Sequence, residues 1–188
     1  MSVEIKSWRD IHGWFDYADL YDEMLKTVSE PKIYVEVGCW LGRSTAYMAS
    51  QIKERDLPVS FYAVDTWKGS RSGDLDDFID QNYNGDMFPA FMCNMEALEV
   101  NKFVHPLPMK SLEAAEEFTN ETVDFLFIDA DHYYDSVKAD IAAWLPKMRK
   151  GGTMAGHDIG WEGLENAVRE AFPDRYRVVG GCWVVDAV

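Results

Sequence analysis

Val123-Asp124-Phe125-Leu126-Phe127-Ile128-Asp129-Ala130-Asp131-His132 is the stretch that decides how this chain folds. An unbroken apolar run from Phe125 to Ile128 has no polar face, so it reads as a strand buried on both sides, as in a parallel sheet. It ends in two acids and a histidine, and a segment with helical spacing then runs toward Gly151-Gly152. Acids at the end of a buried strand must be solvated, paired or liganded. Open α/β sheets bind ligands outside the carboxyl ends of their strands. Two readings stay open here: a solvated strand-end turn, or one edge of a ligand site.

Outward from this strand, the chain alternates strand and helix signals, the pattern of an α/β fold. Ile33–Val37 and Ser60–Val64 read as strands, the first closed by Gly38 and followed by a helix over Ser44–Lys53, the second ending at Asp65. Residues 66–86 are polar, glycine-rich and aromatic, with Asp74, Asp76, Asp77, Asp80 and Asp86, and read as a long binding loop or lid. A helix over Pro89–Val100 precedes a strand near Phe103–Pro106, and Ser111 is a plausible helix N-cap. Tyr134, Val137, Ile141, Trp144, Leu145 and Met148 form a helical core face, which Pro146 should end near Leu145. Thr153–Ala155 is a further strand and Glu162–Phe172 a helix. Tyr176–Val179 and Cys182–Asp186 share only Gly180-Gly181 between them, which forces an antiparallel hairpin.

Composition narrows the partners. With 188 residues the chain reads as one domain, residues 1–188, with an aromatic helical cap over 1–30 and a core over 31–188. Thirty-three acidic against 18 basic residues give a net charge of −15, which disfavours nucleic acid. Cys39, Cys93 and Cys182 show neither disulfide nor zinc spacing, no signal segment stands out, and no apolar stretch is long enough to span a membrane. The expectation is a cytoplasmic protein with no membrane partner. Trp8, Trp14, Phe15, Tyr17 and Tyr21 read as cap packing, or as an acceptor-pocket wall, and a homodimer stays open.

Val35-Glu36-Val37-Gly38-Cys39-Trp40-Leu41-Gly42-Arg43-Ser44 places glycines where a strand turns into a helix. Gly38 and Gly42 would let backbone approach a ligand and free helix amides for it. Glu36 inside a strand is costly to bury and calls for a partner such as an ammonium group. Asp65, at the end of the next strand, is placed to bind both hydroxyls of a ribose. A nicotinamide site uses similar parts but wants G-x-G-x-x-G, and position 40 is Trp.

Taken in order, these motifs resemble the class I S-adenosylmethionine-dependent methyltransferases. The likeness is to the group of sugar and macrolide O-methyltransferases and cephalosporin-hydroxylase-like domains. It is carried by the Glu36–Ser44 turn, by Val64-Asp65-Thr66-Trp67-Lys68-Gly69, and by Ile128-Asp129-Ala130-Asp131-His132-Tyr133-Tyr134 with Trp144-Leu145-Pro146. Gly151-Gly152-Thr153 through His157-Asp158, then Gly163-Leu164 to Ala167-Val168, complete it. The resemblance implies a Rossmann-like, doubly wound, seven-stranded sheet, mostly parallel with an antiparallel last strand. S-adenosyl-L-methionine would be the cofactor, its methionine part held by Glu36, Gly38 and the turn through Trp40, Gly42 and Ser44. Asp65 would take the ribose with Thr66 and Trp67 close by, Lys110 and Ser111 would flank adenine, and Asp129 and His132 would lie near the sulfonium.

Related sugar O-methyltransferases hold magnesium with acids after strands four and five, and those positions read Asp129 and His157-Asp158 here. Carboxylates suit Mg²⁺, while a histidine in the set shifts preference toward Mn²⁺-like ions. Asp129, His132 and Asp158 are the candidate catalytic residues, with His132, beside Asp131, as a base for an alcohol. The expected function is methyl transfer to a small-molecule acceptor, at a hydroxyl of a sugar or natural product. The alternatives are a nicotinamide-dependent oxidoreductase and a non-catalytic, cofactor-binding partner subunit.

Overall fold

The computed structural model describes residues 4–69 and 76–188. After a single 3₁₀ turn at Trp8–Asp10, the first helix is α1 (Ala18–Leu25), so the N-terminal cap is helical only in part. There follow β1 (Lys32–Val37), α2 (Arg43–Arg55), β2 (Val59–Asp65), α3 (Asp76–Tyr83), α4 (Phe88–Ala97) and β3 (His105–Pro108). Then come α5 (Ser111–Glu116), β4 (Val123–Ile128), α6 (Tyr134–Trp144), β5 (Met148–Gly156), α7 (Glu162–Ala171), β6 (Arg177–Val179) and β7 (Cys182–Val185).

The strands form one seven-stranded sheet in the order β3-β2-β1-β4-β5-β7-β6. Strands β1 to β5 pair in parallel, and β7 runs antiparallel to both β5 and β6. The fold expected from the sequence is therefore the one present. Strand order reverses between β1 and β4, and that switch point is where open α/β sheets bind ligands.

The opening stretch shows how the sheet is buried. In β4, Phe125 and Phe127 enter one core with α1, α2 and α4, while Leu126 and Ile128 enter the opposite core with α5, α6 and α7. Successive strand residues point to opposite faces, so a strand covered on both sides must be apolar at every position. Pro146 ends α6 at Trp144 and passes the chain through a 3₁₀ turn, Leu145–Lys147.

Several boundaries differ from expectation. The strand read near Phe103–Pro106 lies at His105–Pro108, because Asn101–Phe103 closes a 3₁₀ turn first. Strand β5 begins at Met148, well before Thr153, with a register irregularity opposite Val123/Phe125 that accommodates Gly151-Gly152. Ser111 is the first residue of α5, not its cap; Lys110 holds the cap position. Residues 66–86 are not a plain loop, since α3 lies within them; Asp74 and the rest of 70–75 fall outside the described residues.

Candidate active site

At the switch point the turn after β1 is pressed against the end of β4. The Asp129 N–H donates to the Val37 carbonyl at 2.7 Å, and the Gly38 N–H to the Val64 carbonyl at 2.8 Å. Gly38 has φ +90°, and a Cβ there would come within 2.1 Å of the Asp129 carbonyl oxygen. Only glycine fits both the angle and the space.

Glu36, on β1, is fully buried. Among the described residues no ammonium group meets it; hydroxyls do. Tyr21 donates to Oε1 at 3.0 Å and Thr45 to Oε2 at 2.5 Å, with Ser44 as a third hydrogen-bonding partner. Burial pushes its carboxyl up to about 7 against the opposing pull of these hydroxyls.

Asp65 organises the loop. Its Oδ2 accepts the N–H groups of Cys39 at 2.8 Å and Trp40 at 2.9 Å, while Oδ1 accepts that of Trp67 at 2.7 Å. Burial raises its pKa while the amides of Trp67, Trp40, Cys39 and Thr66 pull it down. A carboxylate offers about four lone-pair sites, so main-chain amides already take most of this one. Trp40 and Trp67 both adopt left-handed φ, +50° and +54°, to aim their N–H groups at it. Gly42, at φ +89° before α2, packs beneath Phe91 and Met95 of α4.

A second cluster joins the ends of β4 and β5. Asp129, His132 and Asp158 offer ligand atoms within 4.8 Å of one another, the one such group among the described residues. His132 Nε2 lies 2.9 Å from Asp158 Oδ2. Asp158 sits at φ +58°, a strained setting for a non-glycine residue. Hydrogen bonds from His132 and then His157 hold the Asp158 carboxyl well below the usual range. Burial lowers the His157 imidazole, but its hydrogen bond to Asp158 and the charges of Asp129, Asp158 and Asp16 outweigh this and raise it to about 9. His132 is likewise raised, first by its hydrogen bond to Asp158.

The structure redistributes some expected roles. His157, expected beside Asp129 in a metal set, turns Nε2 to Asp16 at 3.0 Å, and the third member of the group is His132. The partner of His132 is Asp158, not its neighbour Asp131, whose Oδ2 accepts the Ser136 hydroxyl at 2.7 Å. The Trp67 side chain is fully buried: its indole N–H donates to the Trp40 carbonyl at 2.8 Å, and it packs on Phe88 and Phe91. Thr66 takes part in a local turn, its hydroxyl accepting the Lys68 N–H at 3.3 Å. Lys110 is exposed, and the Ser111 hydroxyl accepts the Trp144 indole N–H at 2.9 Å and hydrogen-bonds Asp140, inside the α5–α6 packing.

Tyr17, Tyr21, Asp16 and Thr45 are the residues whose connections sequence reading missed. Tyr17 donates to Asp129 Oδ2 at 3.0 Å and packs on Phe127 and His157. The N-terminal segment thus ties directly to both carboxylate clusters. The tyrosine-rich run was visible; which acids those hydroxyls meet depends on long-range packing. Two shallow surface hollows, one beside Lys53 and Glu99 and one beside Leu112 and Pro146, lie away from both clusters.

The family described as a methyltransferase domain matches residues 35–159, from β1 through the turn that carries Asp158. The chain belongs to that family. An uncharacterized protein of Sinorhizobium fredii, y4gI, is 27% identical over 128 residues, which make up 68% of this chain. The chain spans only 13% of that relative's length. Among solved structures, the O-methyltransferase NovP superposes with a TM-score of 0.69 at 15% identity, over 91% of this chain and 77% of NovP. CalS11, a calicheamicin methyltransferase, gives 0.65 at 17% identity, over 90% and 77%. A methyltransferase from Geobacter sulfurreducens gives 0.58 at 13%, over 91% and 77%. At these identities the likeness is one of fold. The methyltransferase domain therefore carries its Glu36 and Asp65 cluster and its Asp129, His132 and Asp158 cluster on either side of the switch point. Among the described residues, no helix is long and apolar enough to cross a membrane.

Proposed function

We propose that this domain binds S-adenosyl-L-methionine at the β1–β4 switch point and transfers its methyl group to a hydroxyl of a small sugar-like or natural-product acceptor. The observation that carries the reading is the cofactor-side turn, with Gly38, Trp40 and Gly42 all at positive φ and the loop drawn together by Asp65. Gly38 lets this turn close against the end of β4, and a tight strand-to-helix turn at the carboxyl edge of a parallel sheet is where such folds hold a ligand. The neighbouring O-methyltransferases NovP and CalS11 support the acceptor chemistry by analogy of fold.

The sulfonium supplies an already activated methyl group, so the protein's task is alignment and removal of a proton. His132, held by Asp158 at 2.9 Å, is the group placed to accept the acceptor's proton. Two carboxylates and an imidazole also fit a divalent ion, with a leaning toward Mn²⁺ over Mg²⁺ because of the nitrogen donor. With an ion present, Asp129, His132 and Asp158 would hold it, His132 serving as a ligand in place of its role as base, and the ion would lower the acceptor's pKa.

Calorimetric titration with S-adenosylhomocysteine, with and without Mg²⁺ or Mn²⁺, tests this reading. Wild type should bind in the micromolar range, and Asp65→Ala should weaken binding at least about tenfold, a loss of about 1.4 kcal/mol or more. Absence of binding by wild type in every buffer would sink the cofactor assignment and turn attention to nicotinamides. Unchanged affinity in Asp65→Ala would remove Asp65 from the site.

A further inference from the structure

We propose that Trp161 is the platform on which the acceptor lies, and that the acceptor presents a polyhydroxylated ring such as a pyranose. This rests on the O-methyl transfer reading above and extends it to a residue that neither carboxylate cluster contains.

Trp161 is 59% exposed, unusual for so large an apolar side chain. It is nonetheless held flat: its ring lies 5.4 Å from that of His132 with the planes 16° apart. One indole face rests on the imidazole and most of the residue is still open, so the opposite face is free to solvent.

The seat is built by the backbone. The Trp161 N–H donates to the Asp158 carbonyl at 3.0 Å, and the Trp161 carbonyl accepts the Glu165 N–H at 2.8 Å as α7 begins. The turn therefore runs from a member of the candidate ligand group to the indole. Gly163 lets α7 close on the opposite loop: a Cβ there would meet the His132 carbonyl at 3.3 Å and the Tyr134 N–H nitrogen at 3.2 Å. Trp161 and His132 are thus fixed relative to one another from both loops.

The surroundings define the ring. A flat indole face suits the C–H face of a sugar as well as it suits an arene. The groups tied to this shelf are His132, on which it stacks, and Asp158, whose carbonyl holds its N–H, with Asp129 offering a ligand atom within 4.8 Å of theirs; both carboxylates are hydrogen-bond acceptors when ionised. Several acceptors around one apolar shelf match a ring that carries several O–H donors at its edge. A phenol offers one.

The test uses saturation-transfer NMR with uncharged methyl pyranosides, and with phenol for comparison, on protein loaded with S-adenosylhomocysteine. Wild type, Trp161→Phe and Trp161→Ala are compared, and calorimetry with S-adenosylhomocysteine checks that all three bind cofactor equally. The expected result is transfer to the C–H protons of one pyranoside face in wild type, retained in Trp161→Phe and reduced about fivefold or more in Trp161→Ala. Equal transfer in wild type and Trp161→Ala would overturn the proposal. So would engagement of phenol alone, or of no pyranoside, by cofactor-loaded wild type. Failure of wild type to bind S-adenosylhomocysteine is a different result, and it would remove the methyltransferase reading on which this one stands.

Discussion

Glu36 is an acid placed where its charge is least welcome, and the consequence is measurable. Burial raises its carboxyl from an ordinary value of 4.5 to about 7, so the folded state holds the proton more tightly than the unfolded chain. Stability from this group is full below the unfolded value and is lost as pH rises through the folded one. Unfolding free energy should accordingly fall by about 3 kcal/mol from this residue between about pH 4.5 and 7. Glu36→Gln keeps the shape and removes the ionisation, so its urea-unfolding stability should fall less than that of wild type across the same range. Parallel pH profiles for the two proteins would show that the Tyr21 and Thr45 hydroxyls fully compensate the charge. The sequence revealed that Glu36 was out of place in a strand, yet the remedy it pointed to was an ammonium group. The actual partners come from α1 and α2, and no local pattern encodes a hydroxyl arriving from 15 residues upstream.

At the scale of elements, the β1–α2 turn is legible because its constraints are local and steric. Gly38 needs a positive φ and room for the Asp129 carbonyl, both of which follow from ending one parallel strand against another. Gly38→Ala should cost about 3 kcal/mol or more, since strain and overlap with backbone combine. Thermal or denaturant unfolding checks this, and a loss below about 1 kcal/mol would mean the two strand ends part easily. The β6–β7 hairpin was equally readable, because two glycines cannot connect parallel neighbours. What escaped was α3 inside the 66–86 stretch, where aspartates and a glycine masked a short helix whose Phe78 packs on Trp40. Ser111 escaped for a related reason: a serine before a helical pattern looks like a cap, whereas its hydroxyl serves Trp144 across the α5–α6 contact.

The whole molecule carries a net charge of −15, and its two carboxylate clusters concentrate part of that at the switch point. Self-repulsion of this size destabilises a compact state and is screened by salt over a Debye length of about 10 Å at 0.1 M. The midpoint of thermal unfolding should therefore rise between about 0.01 and 0.3 M NaCl, despite the weakening of exposed ion pairs. A midpoint that falls over that range would mean that the ion pairs, such as those of Asp124 with Lys32 and Arg149, outweigh the net repulsion. The resemblance implied the seven-stranded sheet and the structure supplied its strand order, whereas the sequence by itself determined the alternation of strands and helices, the antiparallel end and the acids at the strand ends. These follow from periodicity, glycine sterics and the cost of burying charge, all of which act within a few residues. Only the tertiary structure decided that Asp65 holds main-chain amides, that His132 pairs with Asp158 while His157 faces Asp16, and that Tyr17 reaches Asp129. Those are meetings of side chains far apart in sequence, and their choice depends on which surfaces pack together once the sheet has formed.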